Sequence, residues 1–574
     1  MSKQKHNRNE KPEVVTGSIQ DLNNLGCGVA RMPEGTPDGG LVVFVKGTVT
    51  GDLVRAQIIK RTKSFCVGKL LEIVTPSPMR AEEEFCPAPE ACGGCVYRHL
   101  KYEDELISKH ARVEKAFRQA GLSDVVIRPV LTVKREGEHV TRGYRNKGMY
   151  PVRQGKNGME AGFYAAKTHK VIPCFDCALQ PDAFGELVRA VCKLCDKYRV
   201  TAYEEPPNGV GCGTGILRHI YLRAAADGTT LLTLVINDVR LHPKAAEGLV
   251  HELVGRFPKL CGILLNINRE NTNVVLGDKF VTLWGKDYME DTLCGKRLRL
   301  SAGSFYQVNH DAAELLYNTA ADMAGLTGSE HLLDLYCGAG SIGLSMADRV
   351  ADVTGIEIIP EAVECAKVNA RLNGLDESRA RFFCGDASDA HKFLAAAEEN
   401  GAPSPDLVVI DPPRKGTTRE LIQEIAARDI KRVVYISCEP ETLGRDCAVF
   451  REFGYESGEV QPVDLFPRTG HGETVVLLSK GNIDSKKIRV EFSLEDMDMS
   501  EFQNDATYPQ IKEYVLEHTG LKVSSLYIAQ VKQKCGIIER ENYNKPKSEN
   551  PKQPKCPPEK EKAIMEALKY FGMI

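Results

Sequence analysis

The sequence predicts a multidomain α/β chain, and three observations carry that reading. At 574 residues the chain is well beyond the size at which one hydrophobic core stops growing, so three or four domains are expected. Residues 13 to 75 run as short strands broken by Gly and Asp turns, which fits an OB-like β-barrel. From residue 305 to 480, strand, glycine-rich turn and helix alternate, as in a doubly wound, Rossmann-like parallel sheet. Between them, residues 76 to 304 open on a cysteine cluster and continue as a mixed α+β region. Residues 481 to 574 read as a small helical extension, and residues 1 to 12 as a polar, disordered tail.

Each element has a local reason. In the first region Leu41-Val42-Val43-Phe44-Val45 is an apolar run, Thr50-Gly51-Asp52 a turn, and Leu53-Val54-Arg55-Ala56-Gln57-Ile58 an alternating strand. In the second, Leu231 to Ile236 is strand-like. In the third, His331-Leu332-Leu333-Asp334-Leu335 reads as a buried strand, and the runs Leu407 to Ile410 and Val433 to Ser437 read likewise. The extension carries helical stretches at 508 to 518 and 524 to 534. A Lys- and Pro-rich connector from Asn544 to Pro558 then leads to an amphipathic helix over 560 to 571. There are no internal repeats.

Composition excludes several classes. Hydrophobic residues make up 42% and charged residues 27% of the chain, ordinary globular usage, and no apolar run approaches the ~20 residues that span a bilayer. The first residues are polar and basic with no apolar segment after them, so no secretory signal is read and the cytoplasm is the expected compartment. The formal net charge of -3 argues against an indiscriminate nucleic-acid binder, so any nucleic-acid contact must come from local patches. Nineteen cysteines in a reducing compartment mean thiols, metal ligands or catalysis rather than disulfides.

After the His331–Leu335 strand, Tyr336-Cys337-Gly338-Ala339-Gly340-Ser341-Ile342-Gly343 supplies a tight turn into a helix, where Gly338 and Gly340 let backbone approach a ligand closely. Taken alone, that spacing suits a dinucleotide equally well. Glu357 ends the next strand, where a carboxylate accepts ribose hydroxyls of an adenosine ligand without separating NAD from S-adenosylmethionine. Further on, Leu407 to Ile410 runs into Asp411-Pro412-Pro413-Arg414. A D-P-P loop at a strand end is typical of methyltransferases that act on nucleobases, which sets aside an NAD-linked oxidoreductase.

Several segments then line up in order: Ser304-Phe305-Tyr306-Gln307-Val308-Asn309, Asp334-Leu335-Tyr336-Cys337-Gly338, Asp411-Pro412-Pro413-Arg414, Ser437-Cys438-Glu439-Pro440, Thr442-Leu443-Gly444-Arg445-Asp446, and Asp464-Leu465-Phe466-Pro467 with Thr469-Gly470-His471 and Glu473. Over residues 13 to 480 the chain closely resembles the RNA uracil-5-methyltransferase family. That resemblance implies S-adenosylmethionine as cofactor, with Gln307, Tyr336, Glu357, Asp386 and Asp411 lining its pocket. It makes Cys438 the nucleophile and Glu473 the base, with His471 shaping the loop.

The chemistry gives a reason for those residue types. Carbon 5 of uracil is a weak nucleophile, and a thiolate added at carbon 6 raises its electron density. This demands a cysteine at the cofactor end of the sheet, with a lowered pKa or a helix N-terminus beside it. Cys438 ends an apolar strand and Glu439-Pro440-Glu441-Thr442 opens a helix. A base must then take the proton from carbon 5. A non-catalytic RNA-binding protein that kept the fold would have no reason to keep both Cys438 and Glu473.

Cys86, Cys92 and Cys95 have C-x5-C-x2-C spacing within Pro- and Gly-rich sequence, and a fourth thiolate is needed to close a [4Fe-4S] cluster or a zinc site. Cys174 and Cys177 are both available, and spacing alone does not choose between iron and zinc. The resemblance, counted from His169, favours Cys177 and a [4Fe-4S] cluster. Arg142, Arg145 and Lys147 are candidate RNA-backbone contacts. The first region is similar to the TRAM module through Asn24 to Ala30 and Val43 to Gly47, and barrel plus cluster resemble the members that modify 23S ribosomal RNA more than the transfer-RNA members. No membrane or obligate protein partner is indicated. The segment beyond 480 lies outside the family pattern.

Overall fold

The computed structural model describes residues 13–481 apart from 24, 36–38, 83–84, 87, 89–90, 207–212, 272–273, 390–391, 393 and 396–402, together with 508–535 and 556–570. The expected tail at 1–12 and most of the Lys- and Pro-rich connector lie outside these residues. They fall into two compact units divided at residue 482.

The first region is a six-stranded sheet in the order Val14–Ser18, Leu53–Arg61, Phe65–Thr75, Val42–Lys46, Cys27–Arg31, Asp21–Leu22. It curls until Gly17 of the first strand faces Ala30 of the Cys27–Arg31 strand. Alternation along these strands puts Val43, Val45, Val54, Ala56 and Cys66 into one interior. A seven-stranded mixed sheet follows, built on Leu217–Ala224, Thr230–Ile236 and Leu260–Ile267, with the helices Asp182–Lys197 and Pro243–Arg256 on it. The two central strands, Leu217–Ala224 and Thr230–Ile236, are buried along their whole length; the second reads as a nearly continuous apolar run, whereas the first also buries Arg218, His219 and Arg223.

The third sheet has the order Ala380–Cys384, Asp352–Glu357, His331–Leu335, Leu407–Ile410, Arg432–Ser437, Glu473–Lys480, Tyr455–Val463. The first five strands are parallel, Glu473–Lys480 runs antiparallel to them, and Tyr455–Val463 pairs antiparallel with Glu473–Lys480. The order reverses between His331–Leu335 and Leu407–Ile410, which opens a crevice at the carboxyl ends of the strands. The hairpin Tyr288–Leu293 and Lys296–Ser301 buries Met289, Leu293, Leu298 and Leu300 in the same core as Leu316 of the helix His310–Ala324 and Val353 and Phe382 of the third sheet. The second and third regions therefore share packing, and Ser304 to Asn309 enters the crevice from that shared core.

In the C-terminal unit, helices Tyr508–Thr519, Ser525–Lys534 and Pro558–Tyr570 stand within one or two residues of the expected stretches. Ile511, Val515, Ile528, Val531, Ile564 and Leu568 give it a core of its own. Among the described residues no helix is long and apolar enough to cross a membrane.

Candidate active site

Sheet register brings the chemistry together. Leu335 pairs with both Ile356 and Ile410, so Tyr336, Glu357 and Asp411 emerge side by side. The antiparallel register Ser437 to Thr474 carries the next pair, Cys438 and Glu473, to the same end of the sheet. Two residues beyond Cys438 the helix Pro440–Glu452 begins, with proline at its first position where no N–H is needed.

These strand ends enclose a cavity of about 700 Å³ lined by Gln307, Tyr336, Gly338, Glu357, Asp386, Asp411, Cys438 and Glu473. That volume suits a nucleoside-sized ligand. Gly340 is the one expected cofactor residue that does not line it. Its φ of 79° caps the helix Ser341–Met346, and a Cβ there would meet Leu344, Ala366 and Phe382 inside the core. Gly340 makes the turn, and Gly338 with φ 55° borders the ligand space. Tyr336 also adopts a left-handed φ of 65°, a conformation costly to a residue with a Cβ and found where a site is held under strain. Glu357 accepts hydrogen bonds from the N–H groups of Gly338 (3.0 Å) and Ile359 (3.0 Å), which fixes its carboxylate. Asp386 accepts from the Ser388 N–H at 2.8 Å and hydroxyl at 2.7 Å, and these bonds hold its carboxyl below the usual range. Phe305, Ser341, Ser388, Lys415 and Thr418 line the cavity as well and were not anticipated. Phe305 and Ser341 stand in quoted motifs, so position next to Gln307 and Gly340 was the available signal.

The electrostatics correct one expectation. Cys438 has its helix N-terminus, yet its thiol is pushed up to about 11, by burial first and then by Glu473 and Asp411, with Arg414 opposing. Asp411 rises to about 7 through burial. Glu473 is only 4% exposed and is raised well above the carboxylate range by burial and by Asp411, and its Oε2 is buried without a partner. A buried anion next to another anion is unfavourable, so the site favours the protonated form of each group. His471 is lowered by burial and by surrounding cations, and its Nδ1 is also buried without a partner.

The loop Asp464 to Glu473 is braced by the helix Tyr102–Gln119, 350 residues earlier in sequence. Lys109 donates to Asp464 (2.7 Å), Glu105 (2.8 Å) and the Phe466 carbonyl (3.2 Å), and Tyr102 donates to Asp464 at 2.7 Å. The Arg468 N–H donates to Glu105 at 2.7 Å, in a residue with φ 69°. Arg112 joins the two halves of the site: it donates to the Gly470 carbonyl at 3.1 Å and pairs with Glu439 and Glu441 beside the nucleophile. On the helix side, Tyr102, Glu105, Lys109 and Arg112 were not singled out from sequence. The i, i+4 spacing of Glu105 and Lys109 was the only visible signal, and such a pair reads as solvated.

Cys86 and Cys174 are buried, and Cys92, Cys95 and Cys177 half-buried, in one small cluster with Phe85, Tyr144 and Leu179. Among the described residues no group of three or more His, Cys, Asp or Glu side chains is arranged around a single metal position. The donor set still suits a thiolate-bound group. Cys95 is pushed up to about 12 by burial and then by its neighbours Cys177, Cys86 and Cys92. Cys174 and Cys177 share a hydrogen bond, and the backbone N–H groups of Leu179 and Gln180 also draw Cys177 down. Every described cysteine is a free thiol. Of the three basic candidates, Arg142 lies over the Phe85 ring (4.4 Å), Arg145 stands in a half-buried bridge to Asn309, and Lys147 is lowered to about 8 by burial and by Arg223. Arg142 is exposed, whereas Arg145 and Lys147 are half-buried.

The family model for tRNA (uracil-5-)-methyltransferases matches residues 277–481. An uncharacterized RNA methyltransferase of Bacillus cereus is 38% identical over 473 residues, covering 82% of this chain and 97% of that protein. One of Clostridium acetobutylicum is 38% identical over 464 residues, covering 80% and 96%. Among solved structures, the Pyrococcus abyssi tRNA (uracil-54, C5)-methyltransferase with S-adenosyl-L-homocysteine has the same fold. It has a TM-score of 0.62 and 23% identity, over 81% of this chain and 100% of that one.

Proposed function

The chain belongs to the RNA uracil-5-methyltransferase family, and on that premise we propose that it transfers a methyl group from S-adenosylmethionine to carbon 5 of a uridine, with Cys438 as nucleophile and Glu473 as base. The observation that carries the proposal is the convergence of Cys438, Asp411 and Glu473 on one cavity with Gln307, Tyr336, Glu357 and Asp386.

The chain's own residues divide the work. Gln307, Tyr336, Glu357 and Asp386 bind and orient the cofactor, and the fixed Glu357 carboxylate retains acceptor capacity for ribose hydroxyls. When bound, S-adenosylmethionine supplies the methyl group and a positive charge that favours the Cys438 thiolate. Cys438 adds to carbon 6 of a uridine flipped into the cavity, which makes carbon 5 electron-rich. After transfer, Glu473 removes the proton from carbon 5, the double bond re-forms, and the Cys438 sulfur leaves with its electron pair. Burial of Glu473 keeps water from competing for that position.

We assign Cys86, Cys92, Cys95 and Cys177 to a [4Fe-4S] cluster that holds the segment around Phe85, Tyr144 and Arg145 in place. The gathering of these cysteines around Phe85, Tyr144 and Leu179 supports this. Protein purified without oxygen is expected to be brown, and a colourless protein with stoichiometric zinc overturns the assignment.

For substrate, 23S ribosomal RNA is the primary reading, by analogy with cluster-bearing members. Transfer RNA is the second reading, because the same three-region fold serves the Pyrococcus tRNA enzyme. Both RNAs, transcribed with 5-fluorouridine, form the test. Fluorine cannot leave as a cation, so a covalent protein–RNA adduct accumulates on the true substrate and maps the modified base. An adduct that persists in Cys438→Ala, or none with either RNA, overturns the mechanism. Glu473→Gln is expected to methylate normal RNA once and release it slowly.

A further inference from the structure

We infer that Arg145, Lys147 and Arg223 form a binding site for one backbone phosphate of the substrate RNA, beside the flipped uridine; this rests on the proposal that the substrate is a uridine in RNA. Two of the three are cross-strand neighbours. In the antiparallel pairing of Lys147–Gly155 with Leu217–Ala224, Lys147 stands directly opposite Arg223. Opposed residues lie roughly 5 Å apart at Cβ, where like charges destabilise a sheet. Arg145 approaches from the segment just ahead of that strand. Burial, Arg223 and Arg145 together bring the Lys147 ammonium down to about 8, with no carboxylate opposing them.

The donors are left open. Arg223 is only 3% exposed. Its Nε donates to the Tyr221 hydroxyl at 2.9 Å and its Nη2 to the Ser304 carbonyl, while its Nη1 is buried without a partner. The Nε of Arg145 is likewise buried and unpartnered. Arg145 also acts on Cys177, so a cluster held there takes up part of its charge. Arg223 meets only the two neutral oxygens, and no carboxylate acts on Lys147. Cations held so close and out of water call for an anion. A phosphodiester fits, because its single charge is spread over two free oxygens that accept from a guanidinium and an ammonium at once.

The site stands where the backbone of a flipped nucleotide must pass. Arg223 holds the Ser304 carbonyl, Asn146 donates to the Gln307 carbonyl at 2.8 Å, and Arg145 is bridged to Asn309. The three cations therefore border the segment that carries Phe305 and Gln307 into the large cavity. Arg145 also acts on His471 in the loop that ends at Glu473. Met149 lies on the same sheet face as Lys147 and is 42% exposed, so this face opens to solvent. Turning a base out of its stack draws the phosphates on either side of it against the protein, and such contacts position the nucleotide without reading its sequence.

The test neutralises each partner in turn. Lys147→Met keeps the aliphatic stem and removes one charge. Full-length natural protein and variant are titrated with the 23S and transfer-RNA transcripts across a salt series, and cofactor binding and thermal unfolding are measured without RNA. The variant is expected to bind the substrate RNA about tenfold more weakly, with a salt slope shallower by about 0.7–0.9. It should bind S-adenosylmethionine with natural affinity and melt at a higher temperature, because the opposed charges are gone. The RNA segment that carries the 5-fluorouridine adduct is then synthesised with ordinary uridine and a neutral methylphosphonate at one linkage at a time. One linkage beside the target uridine should weaken binding to the natural protein by the same factor and leave the variant unaffected. Natural affinity and slope in the variant overturn the inference, as does a difference between the proteins that survives neutralisation of every linkage. Lost cofactor affinity identifies the anion as the cofactor's carboxylate, and a lowered melting temperature makes Lys147 structural; either overturns it. A natural protein that neither binds nor methylates either RNA overturns the RNA substrate and this site together, whereas natural methylation with an unaltered variant removes this site alone.

Discussion

Two sets of buried charge flank the loop Asp464 to Glu473, and they are balanced in opposite ways. On the side of the helix Tyr102–Gln119, Lys109 is nearly buried, and burial works against its charge. Asp464 and Glu105 nevertheless hold it above its ordinary value through hydrogen bonds of 2.7 and 2.8 Å. On the cavity side, Asp411, Glu473 and Cys438 crowd together with only Arg414 opposing them. The first set gives its buried charges opposite partners, although burial still lifts Glu105 to about 7. The second departs from such pairing where a sulfur must become a nucleophile and a carboxylate a base. The difference teaches that the braced side supplies rigidity for an arrangement that is unfavourable by itself.

The largest effect is expected from removing the balancing cation. Lys109→Met leaves Glu105 and Asp464 buried, with Arg468 at 3.7 Å from Glu105 as the nearest other cation, and should cost about 3–5 kcal/mol of unfolding free energy. Chemical denaturation measures it. The triple change Lys109→Met, Glu105→Gln, Asp464→Asn should recover most of that loss, because no unpaired charge remains. A single variant within about 1 kcal/mol of the natural protein would erase the proposed contrast.

The opposite manipulation on the cavity side should stabilise. Asp411 is raised in the fold to about 7, above its value in the unfolded chain. What it contributes to stability is thus present in acid and lost as pH rises through 7. Asp411→Asn should therefore raise the unfolding free energy near about pH 8, by about 2–3 kcal/mol after allowance for its coupling to Glu473, and the gain should fade toward about pH 4. Thermal melts across that range check the sign. A gain that grows in acid would place Asp411 among the paired charges instead.

This contrast also marks what the sequence revealed. The strand His331–Leu335 and the run Leu407–Ile410 were legible to the residue, because parallel strands buried on both faces must be apolar throughout. The convergence of Gln307, Tyr336, Glu357, Asp386, Asp411, Cys438 and Glu473 was legible through motif order. Burial of Lys109 was not, since Glu105 and Lys109 look like a solvated helix pair until Asp464 arrives from 355 residues away. The raised Cys438 thiol was hidden for a related reason: its helix N-terminus is local in sequence, whereas Asp411 and Glu473 reach it only through sheet register. Gly340 looked like ligand-facing backbone, and only the helix geometry turned it toward Phe382.

The smallest effect is expected from the one cation on the unbalanced side. Arg414 is exposed, lines the large cavity and lowers both Cys438 and Glu473. Arg414→Gln should raise the thiol further, so that alkylation of Cys438 by iodoacetamide, followed by peptide mass, slows by about two- to fivefold at neutral pH. Because thiolate is the reacting form, the rate curve should move toward alkaline pH rather than drop uniformly. Concentrated salt should reproduce part of the loss in the natural protein and none in the variant, since exposed charges are screened. Reading the thiol without RNA separates this field effect from any phosphate contact that Arg414 makes. An unchanged curve would mean that the nucleophile is governed by the two carboxylates alone, which widens the asymmetry between the two sides of the loop.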